Sequence, residues 1–319
     1  MAVSVSFSRR HLYEQSAQPI IVSSQSRPVR ATLLGIAQDG GRPQAGCFSE
    51  CCSDAYNNPE LVRHPVSLGI VGSDYSPHLI EASRDLAWQF SLWKSTDPTS
   101  ESLASIWLTH AHFGHVDGLG LFGKEAIAAR GLPLHCSTSF ARLLGKNAIW
   151  QQMLNEGVLA PRPFVAGKPV QPLETCGFSI IPIPIPHRNE LSDMHAFLIC
   201  GGQRRLLFLP DHDTWEETLD SVGHPDLRSW LNELAVDIAL LDGTFFSSDE
   251  LSTRRQEDVP HPPVIQTLEL LGQRQSEDAR VIFIHLNHTN PLHSNDNWQT
   301  EKVTSLGWEI GYEGMVFDL

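Results

Sequence analysis

Ser105-Ile-Trp-Leu-Thr-His-Ala-His-Phe-Gly-His-Val-Asp-Gly118 carries an apolar run into three closely spaced histidines, His110, His112 and His115. The run Ile106-Trp107-Leu108 reads as the inside of a strand that stops at Thr109. Residues i and i+2 share a face of an extended chain, so His110 and His112 can point at one object. A turn or helix start after them brings His115 to the other side of that object. The three together read as a cradle for a metal ion.

Working outward, the same grammar recurs. His187 follows the strand that ends at Pro186, Asp211 follows Leu206-Leu-Phe-Leu-Pro210, and Asp242 follows Ala239-Leu-Leu241. His285 follows Val281-Ile-Phe-Ile284. One strand-end histidine is ordinarily a hydrogen-bonded structural residue, and Asp242 before Gly243 also fits a simple turn cap. Several histidines and aspartates at successive strand ends imply a shared rim instead. Imidazole and carboxylate together suit zinc, iron or manganese.

The chain has 319 residues, long enough for one large core or two modest domains. Its net charge of −14 leaves no basic surplus to displace counterions, which argues against a nucleic-acid partner. No apolar run is long enough to span a bilayer, so no membrane partner is expected either. Cys47, Cys51 and Cys52 cluster, whereas Cys136, Cys176 and Cys200 sit singly among apolar residues. With no secretory signal visible, the cluster reads as a metal site in a cytoplasmic protein rather than a disulfide framework. Residues 1–29 read as a leader or flexible segment; Arg9, Arg10, Arg27 and Arg30 with many serines and one acid, Glu14, also give it a transit-peptide flavour.

Strands are expected over residues 30–36, 66–71, 77–82, 105–109 and 133–137 in the first half. The second half adds 178–186, a hairpin of 195–200 with 204–210 around Gly201-Gly202, then 238–241, 280–285 and 314–317. Helices are expected to about Trp93, over 119–129, from Trp215 and over 264–272. Pro182, Pro184 and Pro186 alternate along one strand, so it belongs at a sheet edge. Strands in both halves with helices between them favour an α/β (α+β) fold of two packed sheets with helices outside, one domain over residues 30–319.

The histidine rim resembles the metallo-β-lactamase superfamily, whose four-layer αββα sandwich places a His-x-His-x-Asp-His motif and later His, Asp and His ligands at one edge. The resemblance implies His110, His112 and His187 around one metal, His115 with His285 around a second, and Asp211 bridging them. Gly114 stands where the motif has its aspartate, which leaves the second position a ligand short. On that basis one tightly held rim metal is expected, with His212 or Asp213 able to swing into the gap and open space beside His112. His110, His112, His187 and Asp211 are expected to converge on one position.

A narrower resemblance is to the pyrroloquinoline quinone biosynthesis protein B branch. It rests on Leu34-Gly-Ile-Ala-Gln-Asp-Gly-Gly-Arg-Pro-Gln-Ala-Gly-Cys47, the stretch from Asp242 to Leu251, Pro260-His-Pro-Pro263 and Phe283-Ile-His-Leu-Asn-His-Thr-Asn-Pro-Leu292. That branch degrades the histidine motif, whereas this chain keeps three of its histidines. The phosphonate-pathway cyclic phosphodiesterases hold a structural zinc with an early cysteine cluster and a histidine three residues after the last catalytic one. By that resemblance Cys47, Cys51, Cys52 and His288 form a closed Cys₃His zinc site. His195, His212, Asp213, Asp242 and His261 are secondary candidates, for substrate contact or support behind the ligands. The Gln38-Asp-Gly-Gly41 turn alone is too short a signal for a phosphate cradle.

These readings lead to a metal-dependent hydrolase acting on a small phosphoester or acyl substrate through a metal-bound water. Asp211 orients that water and His115 handles protons. The active-site metal is expected to be zinc, with iron or manganese open. A non-haem iron oxygenase of cofactor or natural-product biosynthesis is the alternative, and a non-catalytic small-molecule carrier the third. A homodimer is left open.

Overall fold

The computed structural model describes residues 27–97, 102–250 and 259–319. The leader expectation falls mostly on residues outside that set. Among the described residues, thirteen strands form two mixed sheets. The first has seven strands in the order β13-β1-β2-β3-β4-β5-β6. These are β1 (Arg30–Gly35), β2 (Ser67–Val71), β3 (Pro77–Ile80), β4 (Ser105–Trp107), β5 (Leu132–Cys136), β6 (Leu159–Pro163) and β13 (Val316–Asp318). The second has six, in the order β12-β11-β10-β9-β8-β7. They are β7 (Ser179–Ile185), β8 (Met194–Cys200), β9 (Arg205–Leu209), β10 (Ile238–Asp242), β11 (Arg280–Ile284) and β12 (Glu309–Ile310).

Alternation along the strands builds the layers. Leu33, Ile70, Ile80 and Trp107 face the second sheet and share a core with Phe197, Phe208, Leu240 and Ile282. Their neighbours Leu34, Val71, Leu79 and Ile106 face the other way, onto a second core with Trp93, Phe122 and Phe140. Helices α2 (Leu86–Thr96), α4 (Thr138–Leu144) and α5 (Ala148–Asn155) supply that outer layer. Helices α6 (Trp215–Val222), α7 (Leu227–Glu233), α8 (Val264–Leu271) and α9 (Trp298–Ser305) bring Trp215, Trp230, Leu268 and Val303 to the second sheet. The αββα sandwich is therefore present.

The proline-bearing strand β7 is an edge, as its sequence requires. Pro182 and Pro184 share the parity of Ile180, whose N–H points away from β8 and donates to Val170 O at 2.9 Å. Proline thus occupies positions whose amide would face outward, and no ladder bond is lost. The helix expected over 119–129 is absent. Residues Asp117–Phe122 form a 3-10 turn that buries Leu119 and Phe122, and Ala128 adopts a left-handed φ of 53°. Gly118, Gly120 and Gly123 in that stretch make a regular helix entropically expensive.

Strands β3 to β6 run parallel, and so do β9 to β12. Loops leaving the carboxyl ends of parallel strands gather at one edge, the usual place for ligands in such sheets.

Candidate metal centre

At that edge β4 runs on through Leu108 and Thr109 to His110, and the short helix α3 (Phe113–Val116) presents His115 after His112. Beyond β7 lies His187, beyond β9 Asp211, and beyond β11 His285, while β10 ends on Asp242 itself. Glu81 and His285 hold left-handed backbones, with φ of 65° and 60°, each directly after a strand. Non-glycine residues in that region cost energy and persist where the surroundings over-determine them.

Donor atoms of His110, His112 and His187 lie within 4.8 Å of one another. His187 Nε2 is 3.1 Å from His112 Nδ1. Two nitrogens on one tetrahedral zinc at ~2.1 Å stand ~3.4 Å apart, so this spacing suits a shared ion. Tautomers follow from the partners behind the rings. Thr109 Oγ1 donates to Glu81 at 2.5 Å and so accepts from His110 Nδ1 at 2.9 Å. His187 Nδ1 donates to Asp213 Oδ1 at 2.9 Å. Both rings are left with Nε2 lone pairs toward the rim, and His110 Nε2 is buried without a partner.

Asp211 reaches the first set as well, its Oδ1 standing 3.9 Å from His187 Nε2. It groups with His110 and His115, its Oδ2 lying 3.1 Å from His115 Nε2. Its Oδ1 reaches His285 Nε2 at 3.5 Å. That places it between a first donor set and a second. Burial opposes charge on Asp211, but His285 and His115 hold its carboxyl well below the usual carboxylate range. Burial likewise opposes charge on His115, and Asp211 and Glu81 outweigh it, lifting its pKa well above the ordinary value.

The gap expected at Gly114 is filled. A Cβ there would lie 2.5 Å from the Cα, Cβ and Cγ of Asp39, so Asp39 takes the space that a side chain at 114 would need. Asp39 Oδ1 sits 3.3 Å from His115 Nε2 and 3.5 Å from His285 Nε2. Neither residue expected to swing in is available. Asp213 is engaged by His187, and His212 Nδ1 pairs with Thr218 Oγ1 at 2.9 Å while its ring packs on Trp215. The sequence reading missed Asp39. Its signal was a carboxylate three residues past a strand end, inside the Gln38-Asp-Gly-Gly turn.

Asp242 is buried and lies 2.7 Å from His261 Nδ1. Thr244 Oγ1 donates to Asp242 Oδ1 at 2.7 Å and accepts from His285 Nδ1 at 2.8 Å. His261 groups with Asp211 and His285. Burial works against a charge on His261, yet Asp242 raises its pKa. His195 lies outside these groups, edge-on to Phe164.

A separate tetrad gathers Cys47, Cys51 and Cys52, the last two on the short helix α1 (Glu50–Ser53), with His288. Cys47 Sγ is 3.6 Å from Cys51 Sγ, and His288 Nδ1 is 3.5 Å and 3.4 Å from Cys51 and Cys52. Ligands of a tetrahedral zinc at ~2.3 Å for sulfur stand ~3.6–3.8 Å apart, close to this arrangement. Burial and the neighbouring thiols push Cys51 up to about 12, a conflict that a dication would reverse.

Residues 78–286 match the beta-lactamase superfamily domain, well over half of the chain. The chain belongs to the beta-lactamase superfamily. Within it, the similarity runs to the PQQ synthesis branch: coenzyme PQQ synthesis protein B of Xanthomonas campestris pv. campestris is 24% identical over 317 residues, covering 91% of this chain and 100% of that protein. Zn(2+)-bound PqqB from Methylobacterium extorquens has the same fold, with a TM-score of 0.72 at 20% identity over 91% of this chain and 100% of that one. A diphosphatase from the PhnP family follows with a TM-score of 0.63 at 18% identity, over 91% and 98%. For this superfamily member the specific Thr-Asn-Pro block is structural: Asn290 Nδ2 donates to Gly243 O at 2.7 Å, tying the loop after β11 to the loop after β10.

Proposed function

We infer that this chain is a metal-dependent hydrolase whose rim takes zinc, or manganese or iron in its place, and whose cysteine tetrad takes zinc. The observation that supports this best is the convergence of two donor sets with Asp211 between them. His110, His112 and His187 form one set, and His115 with His285 the other. Such a set suits two adjacent ions better than a single iron with three ligands and open positions, which is what the oxygenase reading needs. When bound, the metal supplies Lewis acidity and an acidified water.

The chain's own residues supply the rest. Asp211 faces both sets, with its Oδ1 3.9 Å from His187 Nε2 and 3.5 Å from His285 Nε2, and orients a water between them. His261, held by Asp242, keeps a proton at the rim for a leaving group. Arg188 follows His187, and its buried Nε has no partner. Its charge bears on both His112 and His261, which places a cation beside the rim and favours an anionic substrate. A small phosphoester therefore fits better than a neutral acyl compound.

The test is an activity panel of aryl phosphodiester, phosphomonoester and carboxylic ester on zinc- and manganese-loaded protein, with oxygen uptake measured on an iron-loaded sample. Phosphoester hydrolysis is expected, and His187→Ala should lower kcat by at least about 10²-fold. Arg188→Ala should raise KM for the phosphoester more than it lowers kcat. Oxygen consumption without ester hydrolysis would select the oxygenase instead.

A further inference from the structure

We propose that Asp39 is a ligand of the second rim position and replaces the motif aspartate that Gly114 lacks. The assignment rests on the metal-centre reading above and adds to it a residue and a stoichiometry. Asp39, His115 and His285 bring donor atoms within 4.8 Å of one another. Asp39 Oδ1 faces Nε2 of both histidines, at 3.3 and 3.5 Å.

His285 is oriented from behind: its Nδ1 meets Thr244 Oγ1 at 2.8 Å, and Thr244 passes its own hydrogen to Asp242. That hold turns His285 Nε2 toward carboxylate oxygens of both Asp39 and Asp211, each 3.5 Å away, so an imidazole and two carboxylates are aimed at one point. His285 Nε2 is buried with no hydrogen-bond partner, as a ligand atom would be.

The backbone is built for the exchange. Gln38 N donates to Leu286 O at 2.8 Å, and Leu286 N donates to Ile36 O at 2.8 Å, so the loop after β1 lies along the loop that carries His285. Arg84 Nη2 donates to Asp39 O at 2.8 Å and its Nε meets Asp117 at 2.7 Å, fixing the turn against the histidine segment. Asp39 approaches so closely that any side chain at 114 would overlap it. Glycine there and aspartate at 39 are thus two halves of one arrangement: the carboxylate reaches the same space from a different strand. The charge that two dications need is kept.

The experiment counts metals in the full chain by elemental analysis and follows rim binding by manganese titration. The hard manganese ion avoids the thiolate site, whose zinc is counted separately. The parent should hold two rim metals. Asp39→Asn keeps the shape and leaves Gly114 its room. It should retain the first rim metal and weaken the second by about 100-fold or more, exceeding the loss typical of a residue behind the ligands. Gly114→Asp alone should also lose the second metal by displacing Asp39, and the double variant Asp39→Gly/Gly114→Asp should recover it. Two rim metals bound with unchanged affinity in Asp39→Asn would overturn the assignment while leaving the hydrolase reading intact. A parent that takes no rim metal would overturn both.

Discussion

Thr244 and Thr109 receive an Nδ1–H from His285 and His110 and pass their own hydrogens to buried carboxylates, Asp242 and Glu81. The hydroxyl fixes the tautomer, and the carboxylate behind it makes the ring a better donor. Thr244→Val keeps the shape but takes the acceptor from His285 Nδ1 and one of two hydrogen bonds from Asp242 Oδ1, which still accepts from the backbone N–H of residue 244. Metal affinity at the second position should fall about 10–100-fold, with the first position little changed. Competitive metal titration reads this, and equal affinity in variant and parent would show that the threonine has no bearing on the ring. The histidines themselves were legible because i, i+2 spacing after a strand fixes their direction. Asp39 was not, because its place depends on a contact between loops 75 residues from Gly114 and far along the chain from His285; no local period encodes it. Glycine at 114 looked like a missing ligand and is the clearance for one.

At the scale of elements, the strands were the legible part, since alternation and proline placement state what each backbone edge can do. The stretch 119–129 was misread because its apolar spacing suggested a helix while its glycines forbade one. Edge contacts between loops are a further layer that sequence does not announce. Glu313, in the turn before β13, accepts from the His64 N–H at 2.6 Å and so ties the segment before β2 to the end of the chain. Burial raises its pKa from 4.5 to about 7, against the opposing pull of His64 and Arg63, with Asp85 adding to the rise. A carboxyl whose folded pKa lies above its unfolded value contributes its full stability below the unfolded pKa, and that contribution is lost as pH climbs through 7. Glu313→Gln removes the ionisation. The parent's Tm should therefore fall relative to the variant's by about 2–5 °C between about pH 4 and about pH 8. A constant difference across that range would mean that the carboxyl ionises without penalty.

Across the whole molecule, the two proposed metal sites share the same pair of loops. The loop after β1 supplies Asp39 and then Cys47, Cys51 and Cys52; the loop after β11 supplies His285 and then His288. His110, His112 and His187 come from other elements, β4 and β7. Zinc at the cysteine tetrad would pin the far ends of both loops, while the Gln38–Leu286 hydrogen bond joins them without it. Cys52→Ser should thus lower Tm by at least about 5 °C and remove the tetrad's zinc, because binding energy at a structural site is folding energy. The first rim metal should stay. The second should weaken but not vanish, since the backbone bridge still holds Asp39 beside His285. Differential scanning calorimetry with elemental analysis of the same samples separates these effects. Loss of every metal with unchanged melting would contradict a structural role for the tetrad, and a second rim metal as tight as in the parent would show that the shared loops do not couple the two sites.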